Sequence, residues 1–249
     1  MDDTETLALA GTSTPVRWRR SARARRVSLR IDPAGGGVVV TLPPRAGRAQ
    51  GIALLQAHAA WVAERLARLP GAVALADGAM VPVHGRPHRV RHVPGERGGA
   101  WLARSGDGEG DGGGDGDDGG AEGEIRVSGT AEALPRRVEA LLRTEARRRL
   151  GALAAEKAAA AGVRPRRVVV KDTRTRWGSC TADGTLMFCW RLVMAPPEVQ
   201  DYVAAHEVAH LRHMDHGPAF WALVAALSPH MRPAMRWLRA EGAGLLRVG

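Results

Sequence analysis

His206-Glu207-Val208-Ala209-His210 sets two imidazoles four residues apart with a carboxylate beside the first, and His216 follows six residues after the second. On an α-helix of about 3.6 residues per turn, positions four apart lie about 40° apart around the axis. Both rings can then reach one ion while Glu207 projects next to it. Neutral imidazole suits Zn²⁺, and a catalytic zinc keeps three protein ligands and leaves a fourth position to water. In this H-E-x-x-H spacing the histidines hold the metal and the glutamate takes the proton from the attacking water. The alternative is a helix whose imidazoles cap, pack or hydrogen-bond without a metal. Four of the nine histidines fall between His206 and His216, which favours the ion.

The third ligand is less constrained by spacing. The same six-residue step separates the second and third histidines of metzincins, where an intervening glycine turns the chain back sharply. Here the glycine position holds His213, and a non-glycine residue at positive φ is uncommon. The helix is therefore expected to run slightly further and to break near Asp215-His216-Gly217-Pro218, where Gly and Pro punctuate the chain. His213 is a rival ligand, seven residues from His206 on the same face. Three ligands within two turns of one straight helix spread too far along its axis, which favours His216. Glu241, the only carboxylate after Asp215, sits just before Gly242 and is a poor candidate.

The elements that must position these groups belong to a chain of 249 residues with 45% hydrophobic residues and few aromatics, an ordinary globular composition. Of 36 basic residues only Lys157 and Lys171 are lysines, and the net charge is +10. Residues 107–124 hold eight acids and no base, so the rest of the chain carries 36 basic residues against 18 acidic ones. Such an excess attracts phosphates, nucleic acid or acidic partners; a solvated Arg-rich surface is the plainer reading. The one dense cluster is Arg17, Arg19, Arg20, Arg23, Arg25 and Arg26. Cys180 and Cys189 make no disulfide framework, although they flank a turn at 182–185 and could face each other across a hairpin. The start of the chain is acidic and lacks the basic and apolar regions of a signal peptide. No apolar run approaches the length needed to cross a bilayer. The cytoplasm is the expected compartment, with no membrane partner.

Along the chain, the first fourteen residues read as disordered and residues 15–103 as a β-rich region with one helix. Within that region, alternation predicts a hairpin over 26–42. A helix is expected from about 48 to 69, followed by strands near 81–83 and 88–93. His84, His88 and His92 share the four-residue spacing, but Gly85 and Pro87 exclude a continuous helix, so they read as surface histidines on a β segment. Residues 104–124, nearly all Gly, Asp and Glu, read as a flexible acidic insert between strands near 100–102 and 125–127. An inert linker is the plainer role for it, and an internal mimic of a polyanion the alternative. The catalytic region is expected to span 125–249. In it a long helix runs over about 133–161, strands lie at 168–170 and 186–192, prolines open the metal helix at 196–197, and two further helices close the chain, the last ending near Ala240.

The second half resembles the YgjP-like metallopeptidases, relatives of the SprT-like and WLM zinc proteases. The resemblance is carried by Arg176-Trp177-Gly178-Ser179-Cys180, Trp190-Arg191-Leu192, Ala195-Pro196, Asp201-Tyr202-Val203, His206 to Leu211, His216 and Phe220-Trp221, and more loosely by Arg25 to Ile31, Trp61-Val62 and His84-Gly85-Arg86. The acidic Gly-rich stretch departs from the pattern as an insertion, and Cys189 stands where an Asn often precedes this Trp. The resemblance implies an α+β, zincin-like domain with a small sheet beside an active-site helix. It also implies zinc on His206, His210 and His216, and Glu207 as the catalytic group. In other zincins an edge strand binds extended peptide by strand addition, and Arg174–Cys180 is the candidate edge here. Arg176 either steadies the negatively charged intermediate or forms a structural ion pair. Trp177 is either core or a substrate platform.

Three functions follow from this reading. The first is a zinc-dependent peptidase acting on peptides or proteins. The second is a metal-dependent pyrophosphohydrolase of nucleoside triphosphates, UTP in particular, an activity linked to some members of the resembled family. Such enzymes usually use Mg²⁺ held by carboxylates, so it ranks below the peptidase. The third is a DNA-associated, SprT-like protease or nucleic-acid-binding protein using the Arg17–Arg26 cluster.

Overall fold

The computed structural model describes residues 3–104 and 123–249, with the backbone alone at Arg104. The chain divides after Gly71 into two compact units.

In the first unit, β1 (Asp3–Leu9) and β2 (Thr12–Arg20) form an antiparallel hairpin. From Asp3 onward the expected disorder of the first fourteen residues is thus replaced by paired strands and their turn. Ala10 and Gly11 close the turn, both at positive φ (46° and 77°), the backbone a two-residue hairpin needs. An Ala in the place usually taken by Asn or Asp hides that turn from composition alone. The hairpin expected over 26–42 is present as β3 (Ser28–Asp32) and β4 (Gly37–Leu42). Because β4 also pairs in parallel with β2, the sheet order is β1-β2-β4-β3 and β3 forms an edge. The helix expected over 48–69 is two helices, α1 (Arg48–Ala57) and α2 (Ala59–Ala67), parted at His58, whose φ and ψ of −114° and 16° leave the helical range. Val16, Trp18, Val38, Val40 and Leu42 point to one face by strand alternation and share a core with Leu55 and Val62. A Cβ on Gly51 would lie 2.4 Å from the Trp18 ring, so glycine in α1 lets helix and sheet close on each other.

The second unit opens with β5 (Met80–Val83), β6 (Arg86–His92), β7 (Ala100–Arg104) and β8 (Gly123–Val127), in the order β5-β6-β8-β7. The expected boundary between an N-terminal region ending at 103 and a catalytic region starting at 125 is therefore displaced to Gly71. The reason is burial: Val81, Val83, Val90, Ile125 and Val127 share one core with Val138, Leu142 and Ala146 of α3 (Leu134–Ala160). The acidic insert read over 104–124 is shortened at both ends, since Arg104, Gly123 and Glu124 are paired strand residues; what lies between falls outside the described residues.

After α3 come β9 (Arg167–Lys171), β10 (Gly178–Cys180) and β11 (Thr185–Cys189), ordered β10-β11-β9 with β9 parallel and β10 antiparallel to β11. The strand expected to reach residue 192 stops at Cys189, and Trp190–Met194 is a buried 3₁₀ turn. Cys180 lies opposite Leu186, so the cysteines do not face each other across the hairpin, and both thiols are free. Then follow α4 (Pro197–Ala209), α5 (Pro218–Leu227) and α6 (Met231–Leu245). The last helix passes the expected stop at Gly242, where a Cβ would press on the Trp177 ring at 3.1 Å. Among the described residues no helix is long and apolar enough to cross a membrane.

Two devices hold α4. The buried Lys157 of α3 reaches Asp201 at 2.5 Å; burial works against its charge, but Asp201 and Glu156 outweigh it and raise its pKa. Beside it, at the same N-terminal end, the turn His84-Gly85 (φ 51° and 78°) donates its amides to the carbonyls of Val193 and Met194 at 2.8 and 3.2 Å. The His84 Nε2–H donates to Glu145 Oε1 at 2.8 Å, leaving Nδ1 to accept from Gln200 Nε2 at 3.1 Å. Gln200 also donates to the Ala195 carbonyl at 2.7 Å. A Cβ on Gly85 would sit 2.9 Å from the Pro196 Cα, so only glycine fits where the hairpin meets the start of α4.

Candidate metal centre

His206 and Glu207 project from the last turn of α4, and His210 is the residue that ends it. The helix does not run on toward residue 215 as expected. Its end tightens into i→i−3 bonds, Leu211 and Arg212 donating to the carbonyls of Val208 and Ala209 at 2.9 and 3.1 Å, and the chain leaves the helix there. No residue at positive φ is required: Ala10 and His84 are the non-glycine residues in that region among those described. The turn carries His216 back over the helix end, and one nitrogen from each of His206, His210 and His216 falls within 4.8 Å of the others. These three are the one His, Cys, Asp or Glu group suited to a metal ion among the described residues. His213, the rival, contributes its carbonyl instead, accepting from His210 Nδ1 at 3.0 Å. Glu241 is exposed on α6 and outside the cluster.

The donor set fits a tetrahedral ion. Two nitrogens each about 2.05 Å from zinc at a tetrahedral angle are about 3.3 Å apart, and the Nε2 atoms of His206 and His216 stand 3.4 Å apart. Committing His210 Nδ1–H to the His213 carbonyl fixes that ring's tautomer and turns the lone pair of Nε2 toward the cluster. Burial, then the neighbouring His210 and His216, lowers the His206 pKa to about 4, and burial also lowers that of His210. Both rings are thus held in the neutral form that a metal requires. Phe220 packs against all three rings, with centroids 4.5–5.0 Å away, and fixes their mutual tilt.

Glu207 is 5% exposed, and its Oε2 is buried without a hydrogen-bond partner. Burial drives its carboxyl up to about 8 against a smaller downward pull from Arg176. Such a group binds protons avidly and faces a cleft of about 510 Å³ shared with the three histidines, Arg176 and β10. Arg176 is exposed and makes no ion pair among the described residues, which sets aside the structural-pair alternative. Trp177 is half-buried: it packs on the core and lines a side cavity of about 190 Å³ with Tyr202, Val203 and Leu238. The expected edge strand is real but short, since β10 takes in only Gly178, Ser179 and Cys180. Gly178 is the residue whose importance the sequence did not announce. A Cβ there would lie 2.4 Å from Glu207 Oε1, so the strand backbone approaches the carboxylate as closely as glycine permits.

A family model described as the YgjP-like metallopeptidase domain matches residues 25–241. The chain belongs to the YgjP-like metallopeptidase family. Its match begins within the first unit and ends in α6, so the family pattern embraces both units and the whole histidine cluster. Searches of curated proteins and of solved structures return no match.

Proposed function

We propose that this chain is a zinc-dependent peptidase, with His206, His210 and His216 as ligands and Glu207 as general base. The observation that carries the reading is the convergence of three imidazole nitrogens beside a buried, proton-avid carboxylate in an open cleft. When bound, the ion acidifies a water and polarises the scissile carbonyl. Glu207 accepts the proton of the attacking water and passes it to the departing amine, one group serving both steps in turn. Arg176, unpaired and on the cleft wall, offsets the negative charge that grows on the carbonyl oxygen. The free edge of β10 offers backbone donors and acceptors to an extended peptide, and Gly178 lets that peptide lie close to Glu207.

A cleft whose one carboxylate is Glu207 is poorly built for the carboxylate-held Mg²⁺ of nucleotide pyrophosphohydrolysis, which ranks the peptidase first. The test is metal content and cleavage of an unfolded-protein pool, in parallel with pyrophosphate release from UTP, for wild type and Glu207→Gln. Zinc at one per chain in both proteins, with proteolysis lost in the variant, is the expected result. Zinc-loaded wild type that cleaves no polypeptide yet hydrolyses UTP would overturn it.

A further inference from the structure

Remote in sequence from the histidines, the first unit carries a second groove, of about 500 Å³, with Arg26, Ser28 and Leu29 on its strand side and Leu54, His58 and Trp61 on its helix side. Its apolar floor is ordinary, but its rim is not. Trp61 is 39% exposed, although burying an aromatic ring of that size is among the largest gains open to a small core. The guanidinium of Arg65 lies over the Trp61 ring, 5.9 Å from its centroid, which sets a cation above one face of the indole.

The charge around this groove is unbalanced. The described residues up to Gly71 hold eleven arginines against four carboxylates. All four carboxylates are already engaged: Asp32 by Arg17, Glu64 by Arg68, and Asp3 and Glu5 by Arg48. Arg23, Arg25 and Arg26, in the loop that leads into β3, are exposed and make no ion pair or hydrogen bond among the described residues. The groove therefore presents a flat π surface, a half-open strand edge and several uncommitted guanidinium groups within one short stretch of chain.

That combination suits a ligand with planar rings and phosphates in alternation. Base–aromatic stacking tolerates any sequence because every base has a π face, and a cationic rim follows the backbone. A duplex would keep its bases away from Trp61, whereas an unpaired strand can turn one out into the groove. An acidic protein would satisfy the arginines but has no use for the indole. We propose that this groove binds single-stranded nucleic acid, with a base stacked on Trp61 and flanking phosphates on Arg26 and its neighbours in the loop. The activity is separate from peptide hydrolysis and requires no metal.

The test uses the full chain and fluorescein-labelled dodecamers of thymidylate and of uridylate, read by anisotropy across a salt series. Wild-type affinity falls as salt rises. Trp61→Ala weakens binding about tenfold or more with the salt slope unchanged, and Trp61→Phe recovers most of that loss. Arg26→Gln lowers the salt slope by about one, as expected for one phosphate contact. Both side chains are exposed, so the variants should melt with the wild type. Three results overturn the proposal: no binding of the wild type at low salt, Trp61→Ala binding like the wild type, or polyglutamate displacing the oligonucleotide as well as unlabelled oligonucleotide does.

Discussion

Two sets of three histidines in this chain contain a four-residue step, once in His206–His210 and twice in His84–His88–His92, and come to opposite ends. His206 and His210 leave the end of α4 on one side, and the turn after Ala209 brings His216 over them, so three nitrogens gather within 4.8 Å. His84, His88 and His92 sit in and around β6, and each is drawn to a different partner. His84 bonds Glu145 and Gln200, His88 the Arg86 carbonyl at 2.9 Å and His92 the Gly129 carbonyl at 2.7 Å. A period of four brings side chains together on a helix and strings them out along a strand. Spacing becomes chemistry only through the element that carries it; His84, with a protein partner for each nitrogen, has nothing left for a metal, and His88 and His92 do not gather with it into a cluster.

The contrast can be broken most severely at the ligands. His206→Ala or His210→Ala should lower zinc affinity by more than ~100-fold, beyond what loss of an outer-shell partner costs, whereas His88→Ala should keep its zinc; elemental analysis of dialysed protein separates the two. Next in size, Glu207→Gln should hold zinc at wild-type stoichiometry while turnover drops about 10²–10⁴-fold, the usual contribution of a general base. Gly178→Ala sharpens the point by displacing Glu207 without altering it. Zinc should stay bound and kcat fall about 10–100-fold, in keeping with the cost of misplacing a reacting group by about 1 Å. Unchanged kcat would mean that the strand gives way instead of the carboxylate.

The smallest effects belong to the β-segment trio. His84→Ala should cost about 1–3 kcal/mol through its unpaired partners, seen as an earlier denaturant midpoint with zinc content intact. Its partner Glu145 adds a pH signature. Arg148, then His84, holds that carboxyl at about 2 instead of the ordinary 4.5. A depressed carboxyl stabilises the fold above its unfolded value and loses that contribution as pH falls. The stability difference between wild type and Glu145→Gln should therefore be full above pH 4.5 and vanish toward pH 2. A difference constant across that range would show that the ionised carboxylate contributes nothing.

The site was more legible in the sequence than its supports. H-E-x-x-H depends on helical geometry over about one turn, so five consecutive residues suffice to announce it. Even so, the helix ends before the expected break, in a tightened turn over residues 210–212 that contains no Gly or Pro. The first fourteen residues looked disordered because their hairpin turns on Ala10 at positive φ, a state that Ala's composition statistics argue against. The division into units was also missed. Strands β5–β8 join the catalytic core through α3, and no local pattern records which distant helix a strand will be buried against. Gly178 could have been flagged only by knowing that Glu207 would lie against it, a contact between residues 29 apart.

Strands β7 and β8 are antiparallel neighbours in which Arg104 stands opposite Gly123. The chain thus leaves the sheet and rejoins it at the same rung. The β7–β8 ladder is therefore complete up to that rung, with its register set by its own paired residues. It lies upstream of β10, α4 and the turn after it, which carry Gly178, Glu207 and the three histidines, so the frame of this sheet is closed before the chain reaches the residues of the cleft.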